Sequence, residues 1–137
     1  MKKILGIDYG ERRLGIAVSD PLNIIASPLM VIDRKKKNNY LDQIKTITIE
    51  NDISLIVVGL PITLKGTSSK QTEKTKIFIQ ELSESISIPI KTIDERLTSL
   101  EAEKILIQQG IKTGHNKSQI DQISAIIILQ EYLDTKS

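Results

Sequence analysis

Lys3 to Asp20 reads K-I-L-G-I-D-Y-G-E-R-R-L-G-I-A-V-S-D: a strand ending in a carboxylate, a glycine turn, and a returning strand. Ile4, Leu5 and Ile7 are apolar without alternation, the pattern of a strand covered on both faces. Asp8 follows at once, where an unpaired charge is costly or shifts its pKa. In the returning strand Leu14, Ile16 and Val18 share one face, and Gly15, Ala17 and Ser19 share the other. That second face is small enough for another element to approach closely. In an isolated hairpin Asp8 would merely cap the turn. At the end of a central strand it is a carboxylate held for chemistry.

Outward from this hairpin, strands are expected at about 3–8 and about 14–20, with Pro21 and Asn23 turning the chain into a third strand at about 27–33. Arg34 to Lys37 then form a basic turn, expected as a solvated loop, with contact to a phosphate backbone as its functional alternative. Tyr40, Leu41, Ile44, Ile47 and Thr48 fall at helical spacing, and Asn51-Asp52 ends that helix. S-L-I-V-V-G, residues 54–59, is a continuous apolar run of the buried parallel kind, followed by the polar loop L-P-I-T-L-K-G-T-S-S-K. A second helix at about 70–86 buries Thr75, Phe78, Ile79, Leu82 and Ile86. A short fifth strand, I-K-T-I-D, follows Pro89. A third helix is expected at about 98–109, opened by Thr98 with Glu101 and closed by Gly110, and a fourth at about 118–134. Three strands before the first helix must join as a meander, and later strands separated by helices must join in parallel. The fold class is therefore α/β: a five-stranded mixed sheet with helices on both faces, in a single domain spanning 1–137.

Composition narrows the function. The chain has 137 residues, 39% hydrophobic and 26% charged, so one ordinary core is expected. A net charge of +2 is compatible with a nucleic-acid partner, but 3% aromatic content argues against a grip built on stacked bases. With no cysteine, disulfides, thiolate zinc sites and cysteine nucleophiles are excluded. The single His115 rules out a histidine metal cluster, and its polar loop argues for a solvated side chain rather than a general base. A metal site built from Asp and Glu stays open. The apolar start breaks at Asp8 and no stretch is long enough to span a membrane, so no membrane role and a cytoplasmic location are expected.

Three acidic positions interrupt apolar context: Asp8, the pair Asp94-Glu95 ending the fifth strand, and Asp121 in S-Q-I-D-Q-I-S-A-I-I-I-L. Neighbouring strand residues face opposite ways, so at most one of Asp94 and Glu95 enters a given site. Asp121 has Ser124, Ala125 and Ile128 along its side of the helix, which is not a solvated face. Each acid has an ordinary explanation as a cap or a strand end. Together, two of them stand at C-terminal strand ends, the edge where α/β sheets build sites. Converging carboxylates need a neutralising cation, and oxygen-only ligation suits Mg²⁺ or Mn²⁺. Such a site points to metal-dependent cleavage of phosphodiesters.

With these residues in hand, the chain resembles the YqgF family, also called RuvX: proposed nucleases of the pre-ribosomal RNA, with a ribonuclease H-like fold and kinship to Holliday junction resolvases. The matching segments are G-I-D-Y-G-E-R-R-L-G-I-A-V-S-D, V-V-G-L-P-I-T-L-K-G-T, D-E-R-L-T-S and K-S-Q-I-D-Q-I-S-A-I-I-I-L-Q, in order and covering nearly the whole chain. The resemblance implies that Asp8, Glu95 and Asp121 form the catalytic metal-binding set, favouring Glu95 over Asp94. Arg13, Arg96, Thr98 and Lys117 match motif positions as supports or phosphate contacts, and Lys65 lies in the matched loop of residues 59–67. It also implies a role in 5′ maturation of the 16S ribosomal RNA precursor, with that RNA or its precursor particles as partner. True resolvases carry an acid where this chain has Gly59-Leu60-Pro61, and a second aspartate where it has Ser124. The rival expectations are a DNA junction resolvase and an RNA-binding assembly factor without activity. A sugar-kinase-like fold shares the D-x-G turn, but it needs two such domains.

Overall fold

The computed structural model describes residues 2–35, 39–62, 69–95 and 117–136. Five strands, β1 (Lys3–Tyr9), β2 (Arg13–Ser19), β3 (Ala26–Asp33), β4 (Ile53–Leu60) and β5 (Ile90–Asp94), form one sheet in the order β3-β2-β1-β4-β5. The first three strands are an antiparallel meander, and β4 and β5 join in parallel, β4 against β1. This is the expected mixed sheet. Helices α1 (Tyr40–Glu50) and α2 (Lys70–Ser85) are the crossovers, and α3 (Lys117–Lys136) follows β5. The helix expected at 98–109 lies outside the described residues.

Period-two alternation splits the core into two layers. Leu5, Ile7, Leu14, Ile16, Ile56 and Val58 point to one face and pack on Ile44 and Ile47 of α1 and on Phe78 and Leu82 of α2. Ile4, Ala17 and Val57 point to the other and pack on Ala125, Ile128, Leu129 and Leu133 of α3. The strands lack hydrophobic alternation because both faces are covered.

Local chemistry fixes the ends. Asn51 closes α1, its side-chain amide donating to Ile47 O, and Asp52 takes a positive φ of 53° to turn into β4. Ser69 caps α2 in a reciprocal arrangement with Thr72 that the sequence reading had not singled out. Among the described residues, no helix is long and apolar enough to cross a membrane.

Candidate active site

Asp8 alternates with Ile4 and Gly6, so it points toward α3. Across the sheet, Glu95 follows β5 on the same face as Ile93, its N–H donating to Leu60 O at 3.2 Å. Asp94 alternates to the opposite side, so Glu95 is the member of the acidic pair that reaches Asp8.

Strand β4 runs between the two acids, and its Gly59 faces the same way as Val57. A Cβ at position 59 would fall 2.8 Å from Glu95 Oε2 and 2.4 Å from Ile128 Cδ1. The missing side chain is what lets the Glu95 carboxyl lie over β4 and meet Asp8. There Glu95 donates a hydrogen bond to Asp8. Both carboxyls are held above the usual carboxylate range: Asp8 by burial and then the charge of Asp121, Glu95 by burial and then the charge of Asp8.

Asp121 comes to the site on α3. A Cβ on Gly15 would stand 2.1 Å from the Asp121 backbone oxygen, so only a glycine in β2 lets the helix sit this close. The small face of β2 read from the sequence is this contact. Arg13, which opens β2 on that face, places Nε 2.9 Å from Asp121 Oδ2. Asp8 thus lies within electrostatic reach of both Glu95 and Asp121, and Arg13 pairs with Asp121. Yet among the described residues, no three Asp, Glu or His side chains stand arranged to hold a metal ion. Raised proton affinity of the Asp8–Glu95 pair and the pairing of Asp121 with Arg13 are two ways of relieving repulsion between neighbouring carboxylates.

Lys65, Arg96, Thr98 and His115 lie outside the described residues; Lys117 opens α3, with its side chain also outside them.

The expected solvated basic turn needs correcting at Arg34. Its guanidinium lies between the Tyr9 and Tyr40 rings, 4.9 and 4.8 Å from their centroids. Its Nη1 donates to Tyr9 OH at 2.7 Å, Glu11 O at 3.1 Å and Gly10 O at 3.2 Å. Tyr9 in turn stacks on Phe78 at 4.5 Å. Arg34 therefore fastens the turn that follows Asp8. A planar fork between two aromatic faces gains more from stacking and from the turn carbonyls than from water alone. Nothing local in the sequence signals this, because Tyr9 and Tyr40 meet Arg34 only in the folded chain.

Comparison with known proteins identifies the family. The model of the family described as "RuvX: Holliday junction resolvase" matches residues 2–135. The chain belongs to the RuvX family. A Chloroflexus aurantiacus protein named "Putative pre-16S rRNA nuclease" is 44% identical over 133 residues, covering 97% of this chain and 87% of that one. A Dictyoglomus thermophilum protein of the same name is 39% identical over 135 residues, covering 98% and 97%. Among solved structures, Thermus thermophilus RuvC in complex with a Holliday junction substrate superposes with a TM-score of 0.61 at 11% identity, covering 99% of this chain and 96% of that one. The Fowlpox virus resolvase bound to junction DNA gives 0.60 at 11% identity, covering 98% of each chain. At these identities the two structures establish a shared fold, the ribonuclease H-like one. Membership of this family makes the chain a nuclease, a hydrolase acting on phosphodiester bonds.

Proposed function

We propose that this chain is a divalent-metal-dependent nuclease, a single cytoplasmic domain that acts in 5′ maturation of the small-subunit ribosomal RNA precursor, with Asp8, Glu95 and Asp121 as its catalytic, metal-holding set. The observation that carries the reading is the Asp8–Glu95 contact over Gly59 with Asp121 and Arg13 alongside. The substrate follows the names of the relatives, which cover nearly the whole chain. Precursor particles are the natural setting for such an RNA.

The donor set fits a hard cation: carboxylate oxygens with no sulfur or imidazole, two of them facing one another at strand ends. When bound, Mg²⁺ or Mn²⁺ would activate a water and offset charge on the phosphodiester. The chain's own residues do the rest. Asp8 and Glu95, whose pKa values are raised, would have to be deprotonated to hold the cation, a cost that its binding would offset. Gly59 keeps the space above β4 clear for Glu95. Arg34 holds the turn after Asp8 in place, and Arg13 supplies a guanidinium at the rim suited to a phosphate.

The test is cleavage of a precursor RNA spanning the mature 5′ end and of a four-way DNA junction, with Mg²⁺, Mn²⁺ or chelator. Wild type is expected to cut the RNA only with metal, and Asp8→Asn to be inactive while folded. Cutting of the junction alone would favour the resolvase activity in the family's description. Tight binding without cutting would favour an assembly factor.

A further inference from the structure

Arg13 and Asp121 form a pair whose backbones are fixed and whose side chains are not shut in. The Asp121 backbone is pressed against Gly15, and the Arg13 carbonyl accepts from Gly10 N–H at 3.0 Å within the turn. Their side chains are 19% and 24% exposed, so either can exchange partners without disturbing strand or helix. The guanidinium Nε lies 2.9 Å from Oδ2 and so engages the carboxylate that the proposed cation site would draw on. The charge of Asp121 also bears on the buried Asp8 carboxyl, so the arginine-bound acid belongs to the same cluster as the other two.

Resting on the metal-site reading above, we propose that Arg13 is a built-in competitor for the metal: its guanidinium occupies Asp121 until a divalent cation takes that carboxylate, which frees Arg13 for an entering phosphate. Arg13 is then a positioning residue with two partners. It pairs with the third acid as described and would pair with substrate once a cation holds that acid. The exchange is of ion-pair partners only, with no bond made or broken. Nucleic acid, by drawing Arg13 to a phosphate, favours release of Asp121 and so favours metal binding; by linkage, metal favours nucleic-acid binding. A site assembled this way stays weakly loaded until substrate arrives.

The experiment is titration with Mn²⁺, following free ion by electron paramagnetic resonance, without nucleic acid, on folded variants checked by circular dichroism. Arg13→Gln is expected to bind Mn²⁺ about three- to tenfold more tightly than wild type, the affinity equivalent of losing one competing ion pair. Arg12→Gln removes the same charge from the neighbouring residue, which lies near Asp33 instead, and should leave the affinity unchanged. In an Asp121→Asn background, Arg13→Gln should have no further effect. Weaker binding in Arg13→Gln, or equal tightening in the Asp121→Asn background, would overturn the proposal; the second result would mean a general field effect. Should Arg13→Gln fold poorly, Arg13→Met removes the charge while keeping the apolar stem and carries the same expectations. Asp8→Asn and Glu95→Gln separate the two readings. If neither weakens Mn²⁺ binding, the carboxylate site itself is wrong and the competitor falls with it. If both weaken it while Arg13→Gln changes nothing, only the competitor is wrong.

Discussion

Two side chains show how this site is set by single atoms. Gly59 is required by a carboxylate at the end of the neighbouring strand: Gly59→Ala puts a Cβ into Glu95 Oε2 and Ile128. Ile128 is fully buried and has little room to yield. We expect a loss of about 1–3 kcal/mol in urea unfolding, typical of overpacking, and a fall in cleavage beyond what that loss explains because Glu95 is displaced. Unchanged activity at reduced stability would show that Ile128 alone absorbs the strain. The absence of an acid at this position is therefore no gap in the site, since a side chain here would evict the acid that serves it. Arg34 works in the opposite sense, by filling space. Arg34→Ala should cost about 2–3 kcal/mol through lost stacking and lost bonds to the turn carbonyls, and Arg34→Lys should recover little, since an ammonium cannot bridge two rings and two carbonyls at once. Full recovery by lysine in a thermal melt would reduce the interaction to charge alone.

At the scale of elements, the decisive contact is α3 against the hairpin of β1 and β2. Ala125 is fully buried, and its carbonyl oxygen lies 3.2 Å from where a Cβ on Gly6 would be. Ala125→Leu should overpack this seam, costing about 1–3 kcal/mol, and should lift Asp121 away from Asp8. A melt identical to wild type would mean that the helix sits less closely than described. This seam was legible in the sequence, because Gly15, Ala17 and Ser19 left one face of β2 small and Ser124-Ala125 left one side of the helix small. That β1 and β4 lie inside the sheet was legible for a similar reason: uninterrupted apolar runs can belong only to strands covered on both faces, whereas the order β3-β2-β1-β4-β5 came only with the fold. Strand alternation by itself could not separate Glu95 from Asp94; the family motif favoured Glu95, and the face of β5 that looks at α3 gives the physical reason. Pairing partners also stayed hidden. Arg34 stood in a charge run, and such runs are usually solvated; that two tyrosines from distant segments enclose it follows from tertiary packing, which no local pattern encodes.

For the whole molecule, the proposed site has a thermodynamic signature that needs no substrate. In the metal-free fold Asp8 is raised from 3.8 to about 7 and Glu95 from 4.5 to about 9, burial being the leading cause for each. Groups with raised native pKa values bind more protons in the folded than in the unfolded chain, so stability must fall as pH rises through that window. Their contribution is complete below about pH 4, where both states are protonated, and it is lost by the time pH passes the native values. Between pH 5.5 and 8.5, in chelator, unfolding free energy should drop by about 2–4 kcal/mol, a fraction of the full shift because the pair keeps one proton between them over part of the range. The double variant Asp8→Asn/Glu95→Gln should flatten the curve and exceed wild type in stability at pH 8.5, while losing cleavage: the site is maintained against the fold's own preference. Mn²⁺ added to wild type at pH 8.5 should restore the lost stability in proportion to the logarithm of its concentration above Kd, and should do nothing for the double variant. A flat wild-type curve would mean that these carboxyls titrate as they do in water, and the proton-sharing pair at the centre of the site would have to be abandoned.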